Sequence, residues 1–247
     1  MIRWIFVGLM LASPVRAAEL TVLTAGAFKS VAADLIPAFE SSTGDKVILR
    51  NDTVGGLIRR ISGGEAFDVA LMSPSGLSEL VKVGKIAAGS EVKLAKVGVG
   101  VGVRAGSPAP EIATVAAFKA AMLNARAVAY IDPVSGGSSG IYVAKLFQTL
   151  GVADAMGPKS VLVKGGLAAE AVVDGRADVV VQQISEIVAV PGVTLVGPLP
   201  AEIQNETTYA GAVATGSAAP NSARALLGVL AGPAARPVLV AKGMTPP

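Results

Sequence analysis

The residues best placed to do chemistry fall in one stretch, 130–142, which reads Tyr-Ile-Asp-Pro-Val-Ser-Gly-Gly-Ser-Ser-Gly-Ile-Tyr. Ser135, Ser138 and Ser139 bring hydroxyls, and Gly137 with its neighbouring glycines lets backbone approach a guest closely. The apolar run before the stretch suits a buried strand over 128–131. Pro133 and the glycines force a turn, and Ile141, Ala144, Lys145 and Gln148 recur at helical spacing over 138–150. One of the three serines is expected to cap that helix. Helix starts carry N–H groups without intrahelical partners and partial positive charge, so the chemistry that fits is capture of an anion. An ordinary Ser-capped strand-to-helix turn has the same composition, so the rest of the chain must decide.

The chain contains no His and no Cys. The usual zinc and copper ligands and the commonest general base are therefore missing, so triads and metallohydrolase sites are disfavoured and neither a metal nor a cofactor is expected. Residues 1–18 have a basic start at Arg3, a short apolar middle and small residues near the end, the pattern of a secretory signal peptide cleaved after Ala17 or Ala18. Losing Arg3 and Arg16 without any acidic residue lowers the formal charge of +3 by two, which leaves a nearly neutral mature protein. No Lys/Arg block occurs and aromatic residues make up 4% of the chain, so no nucleic-acid partner is expected. The mature protein is expected to be free in the periplasm, without membrane insertion, as a monomer.

The elements that must position the central loop alternate. Strands are expected over 20–23, 46–49 and 67–72, with helices over 28–40, from the turn at 52–56 onward, and after Ser73-Pro74-Ser75, where Ser75 is the expected cap. Such alternation predicts an α/β fold with parallel sheet and loops at the carboxyl ends of the strands, the edge where ligands bind. The glycine-rich β run 92–103 is longer than the other strands and reads as a crossing between two lobes. A second unit follows, with a helix over 114–123, the strand at 128, the central loop, a strand over 160–163, a helix over 167–174 and a strand over 178–182. Residues 193–200 read as the return crossing. The expected division is a signal peptide over 1–18, lobe 1 over 19–101 with 197–247, and lobe 2 over 102–196, with a ligand cleft between the lobes.

Three stretches carry a family resemblance: residues 57–71 (Leu-Ile-Arg-Arg-Ile-Ser-Gly-Gly-Glu-Ala-Phe-Asp-Val-Ala-Leu), Gly140-Ile141-Tyr142, and residues 173–178 (Val-Asp-Gly-Arg-Ala-Asp). Over essentially the whole mature chain the sequence resembles the class II periplasmic solute-binding proteins, and within them the molybdate-binding family of ABC importers. The resemblance implies a two-lobed periplasmic binding protein type 2 fold, with mostly parallel sheets joined by two crossing strands. It also implies capture of a small anion for an inner-membrane ABC permease.

At the positions where that family contacts its oxyanion, this chain differs. The first-loop serine falls at Ala27, the second-loop serine near Thr53 beside Val54, and the contacting tyrosine of the second lobe at Gln183. The ligand implied is a molybdate-like oxyanion or a small di- or tricarboxylate, with Thr53, Ser73, Ser135, Ser138, Ser139, Gln183 and Ser185 as candidate hydrogen-bonding groups. Arg104, Arg59 or Arg60 would suit a carboxylate through its bidentate fork, although each also suits a solvated surface. Residues 196–200 and 204–209 further resemble a branch that includes periplasmic aconitate isomerases, which shift a double bond in a tricarboxylate. An enzyme of that kind needs a base, and without His or Cys the candidates are Lys29, Tyr142 and Glu186.

Overall fold

The computed structural model describes residues 17–247. The expected signal peptide lies almost wholly outside them. The first unit is β1 (Glu19–Ala25), α1 (Gly26–Thr43), β2 (Lys46–Asp52), α2 (Val54–Ser62), β3 (Val69–Met72) and α3 (Pro74–Lys82). The long β4 (Val92–Arg104) leads to the second unit, α4 (Val115–Asn124), β5 (Val128–Ile131), α5 (Ser138–Thr149), α6 (Ala153–Met156), β6 (Ser160–Val163), α7 (Glu170–Val173), β7 (Val179–Gln183), α8 (Ile184–Ile187) and β8 (Val193–Pro198). β9 (Glu206–Val213), α9 (Pro220–Ala231) and α10 (Ala235–Ala241) complete the chain.

β1 pairs in parallel with β2 and β3, and β5 in parallel with β6 and β7. The two trios are joined by antiparallel strands. β4 pairs with β9 through Val92–Gly98 and with β7 through Val99–Val103, so one strand belongs to both sheets. The crossing read at 92–103 is this strand. The return differs from expectation: β8 pairs only with the distal half of β4, and it is β9 that runs back beside the proximal half. Residues 193–200 therefore precede the crossing.

Burial explains why the strands read as nearly unbroken apolar runs. In β5, Val128 and Tyr130 face a core with Phe118, Val143 and Phe147, whereas Ala129 and Ile131 face another with Val172, Val180 and Ile187. Strands covered by helices on both faces need apolar residues at every position. The first unit packs Phe28, Val31, Leu35 and Phe39 of α1 with Leu57 and Ile61 of α2 against its own sheet. Each fully buried side chain of that size contributes about 1.5–3 kcal/mol.

Two boundaries matter for the site. α1 starts at Gly26 rather than at residue 28, directly after β1, so its first turn sits at the sheet edge. Ser73, not Ser75, caps α3, its Oγ accepting from the Gly76 N–H.

Candidate functional site

The β1–α1 corner, the β2–α2 corner, the loop before α5 and the end of β7 converge on one cavity of about 30 Å³. Its walls include Ala27, Thr53 and Val54 from the first unit and Gly137, Ser138, Ser139 and Gln183 from the second. These are seven of the positions singled out in the sequence. Small-molecule pockets usually span roughly 300–1,000 Å³, so this cavity is well below that size.

Two helices aim their first turns at this cavity. α1 follows Ala25 and α5 follows Gly137, and neither has a side-chain cap or an acidic residue in its first turn. The expected serine cap on α5 is thus not formed. Ser138 and Ser139 are its first two residues and line the cavity, while Gly137 holds the cap position. The helix ends offer partial positive charge from both sides of the cleft.

Gln183 is 2% exposed, and its Oε1 accepts from Tyr209 Oη at 2.8 Å. That bond fixes the amide, Nε2 is buried without a partner among the described residues, and the residue lines the cavity. Tyr209, on β9, was not among the sequence candidates. Burial first, and the nearby Glu186 charge second, hold its phenol protonated well above the usual range, against smaller pulls from Gln183 and Ser138.

Glu186 also lines the cavity and is 7% exposed. Burial pushes its carboxyl up to about 8, with a smaller opposing pull from Gln182. The carboxyl lies over the first residue of α1: a Cβ on Gly26 would come to 2.5 Å from Glu186 Oε1.

The rim of the cleft is held by contacts between the units. Thr53 Oγ1 caps α2 by accepting from the Gly56 N–H at 3.0 Å and donates to the Ser135 carbonyl at 2.5 Å. The Gly55 N–H donates to the Gly136 carbonyl at 3.1 Å, and a Cβ on Gly55 would meet Gly136 Cα at 2.9 Å. Arg59, exposed, adds a longer bond to the Ser135 carbonyl at 3.4 Å.

Other candidates are placed elsewhere. The Ser135 hydroxyl donates to the Asp132 carbonyl and takes no part in the cavity wall. Ser73 serves α3, and Ser185 is buried, outside the wall, with its Oγ unpartnered among the described residues. Arg60 is bound to Glu65 at 2.5 and 2.6 Å. Arg104 is exposed at the distal end of β4, where it borders a groove of about 700 Å³ with Pro108, Ala121 and Arg126. It lies there because β4 runs on past the cleft into the second sheet. Of the candidate bases, Lys29 is exposed and outside the cavity wall. The Tyr142 hydroxyl donates to the Ile203 carbonyl and its ring packs on the α4–α5 core. Glu186 alone of the three reaches the cavity.

Comparison with known proteins agrees with this architecture. The sequence model of the bacterial extracellular solute-binding protein family matches residues 20–245. An aconitate isomerase from a Pseudomonas species is 34% identical, covering 96% of this chain and 93% of its own. The periplasmic molybdate-binding protein of Azotobacter vinelandii superposes with a TM-score of 0.78 at 20% identity, over 92% of this chain and 99% of that one. The sulfate-binding protein SubI of Mycobacterium tuberculosis gives 0.75 at 20% identity, over 93% and 87%. At such identities the two structures establish the fold alone.

Proposed function

Because this chain belongs to the bacterial extracellular solute-binding protein family, we propose that it closes its cleft on a small carboxylate-bearing anion. It then presents that anion to an inner-membrane ABC permease. The protein acts in the periplasm, after removal of residues 1–18, as a monomer of two lobes joined where β4 and β9 pass between them. The convergence of two uncapped helix starts on one cavity, from opposite sides of the cleft, is what favours an anion. The unpartnered Gln183 Nε2 adds a directed donor suited to a planar carboxylate. Ala27 in place of a hydroxyl argues against a molybdate cage.

Thermal melting tests this against citrate, cis- and trans-aconitate, molybdate, tungstate, sulfate and phosphate, since a ligand bound only by the folded state raises the melting temperature. A rise with a carboxylate, with the ligand's NMR spectrum unchanged over hours, is the expected result. A rise with molybdate and with none of the carboxylates would sink the proposal.

One observation favours a second reading, turnover. A buried carboxyl, Glu186, lines the cavity of a chain 34% identical to an aconitate isomerase. In that reaction a proton leaves the methylene of a tricarboxylate, the double bond moves by one position, and a proton returns to the far alkene carbon, so composition is unchanged. Glu186 in its ionised form would take the first proton. Conversion of cis- to trans-aconitate in D₂O, with deuterium entering carbon, would establish it; an unchanged spectrum would leave binding alone.

A further inference from the structure

We propose that Glu186 is a ligand-reading acid: its protonated carboxyl donates a hydrogen bond to the bound carboxylate, so the cleft takes up one proton together with its anion. This rests on the carboxylate reading above and assigns the donor that the missing cations leave unfilled.

The ionisable side chains in the cavity wall are Asp52, Glu186 and Tyr209, and no basic side chain is among them. Asp52 is already engaged, its Oδ1 accepting from the Thr53 N–H at 2.7 Å and its Oδ2 3.4 Å from Arg60. Tyr209 has given its hydrogen to Gln183. Glu186 has no salt-bridge partner among the described residues. The elements packed on α8 offer none either. β7 and β8 carry no ionisable side chain; Lys29, Asp34 and Glu40 on α1, and Lys93, Lys96 and Arg104 on β4, all lie outside the cavity wall.

An ionised Glu186 and a guest anion would therefore face each other in a confined space with no basic side chain of the cavity wall between them, which disfavours binding by like-charge repulsion. A neutral carboxylic acid in the same place turns repulsion into donation, because one O–H is then available. Burial already biases the group that way, raising its pKa to about 8 before any ligand arrives. Gly26 leaves the room that lets the carboxyl lie at the start of α1, where the guest's charge is also favoured.

The test is calorimetric titration of the mature protein with malonate, succinate, citrate and propane-1,2,3-tricarboxylate between pH 7 and 9.5, where the ligands' own carboxyls are already ionised. Each pH is run in two buffers of different ionisation enthalpy, so that protons are counted directly. The tricarboxylate has no double bond to move, so turnover cannot contribute. For wild type, affinity is expected to be flat at low pH and to fall by up to about tenfold per pH unit above 8, with close to one proton taken up per ligand at pH 9. Glu186→Gln, neutral and still a donor, is expected to bind with no proton uptake and no pH dependence, and more tightly than wild type at pH 9.5. Flat wild-type affinity without proton uptake at pH 9 would overturn the assignment while leaving carboxylate capture intact, as would uptake that persists in Glu186→Gln. Absence of binding by all four carboxylates at every pH would remove the carboxylate reading and this assignment with it.

Discussion

The Thr53 hydroxyl donates to the Ser135 carbonyl at 2.5 Å across 82 residues of sequence, joining the start of α2 to the loop that precedes α5. The same oxygen accepts from the Gly56 N–H, so one hydroxyl both caps a helix and holds the rim of the cleft closed. Thr53→Ala is expected to weaken ligand affinity by about two- to tenfold, from one net hydrogen bond. Loss of the cap is expected to lower stability by about 1 kcal/mol. Thr53→Ser should retain both properties. Calorimetry and denaturant melts of the two variants check this.

The Gly55–Gly136 contact makes a sharper demand. A methyl on Gly55 would come within 2.9 Å of Gly136 Cα, which belongs to backbone and has little room to yield. Gly55→Ala is expected to leave each unit folded but to hold the cleft ajar, with a larger radius of gyration by small-angle scattering. Affinity should fall by about 5- to 150-fold, for about 1–3 kcal/mol of overpacking in the closed state. Wild-type scattering and affinity in that variant would contradict closure of the cleft through this contact.

Tyr209 orients Gln183 through a fully buried hydrogen bond. Tyr209→Phe leaves the Gln183 Oε1 unpaired, and the expected cost is about 1–3 kcal/mol of stability. Affinity should fall too, because the amide is then free to turn its donor away from the cleft. A double variant with Gln183→Leu should recover much of the stability but none of the affinity, which separates the two effects.

Glu186 sets a pH dependence of stability with a definite sign. Its carboxyl has an ordinary value of 4.5 and is raised to about 8 in the folded protein. Below 4.5 both states are protonated and the group carries no penalty. Between 4.5 and 8 the unfolded chain ionises while the native state does not, so native stability declines as pH rises, and the loss levels off above 8. The full penalty is on the order of a few kcal/mol. Glu186→Gln is expected to melt with wild type near pH 4.5 and several degrees above it at pH 8, as scanning calorimetry would show.

Arg104 and Lys29 lie outside the cavity wall, and their alanine variants should bind within about twofold of wild type, as expected of surface substitutions. Tyr142→Phe removes a bond to the Ile203 carbonyl and should cost about 1 kcal/mol of stability with affinity unchanged.

The elements were legible in the sequence because their signals are local. The strands at 128–131 and 160–163 and the helix after Gly137 follow from apolar runs and turn residues within a few positions, and the structure has them there. The long β-rich run at 92–103 was readable as a crossing because its twelve residues outrun every other strand expected from the sequence. Exclusions were legible as well, since a chain without His or Cys cannot build sites that require them.

What the sequence could not supply was direction. Thr53 and Ser73 carry the same local signature, a hydroxyl capping a helix that follows a strand. Only the first meets the opposite unit, because the loop before α5 reaches the β2–α2 corner. Tyr209 gained its role from β9 pairing between β3 and β4, a long-range choice invisible in the residues around it. Glu186 reads in the sequence as one of three candidate bases, with nothing in the neighbouring Gln182 and Gln183 to show whether it is buried. Its burial against Gly26 exists only once α8 has packed on α1, 160 positions away in the chain, because desolvation belongs to the assembled protein and not to any segment of it.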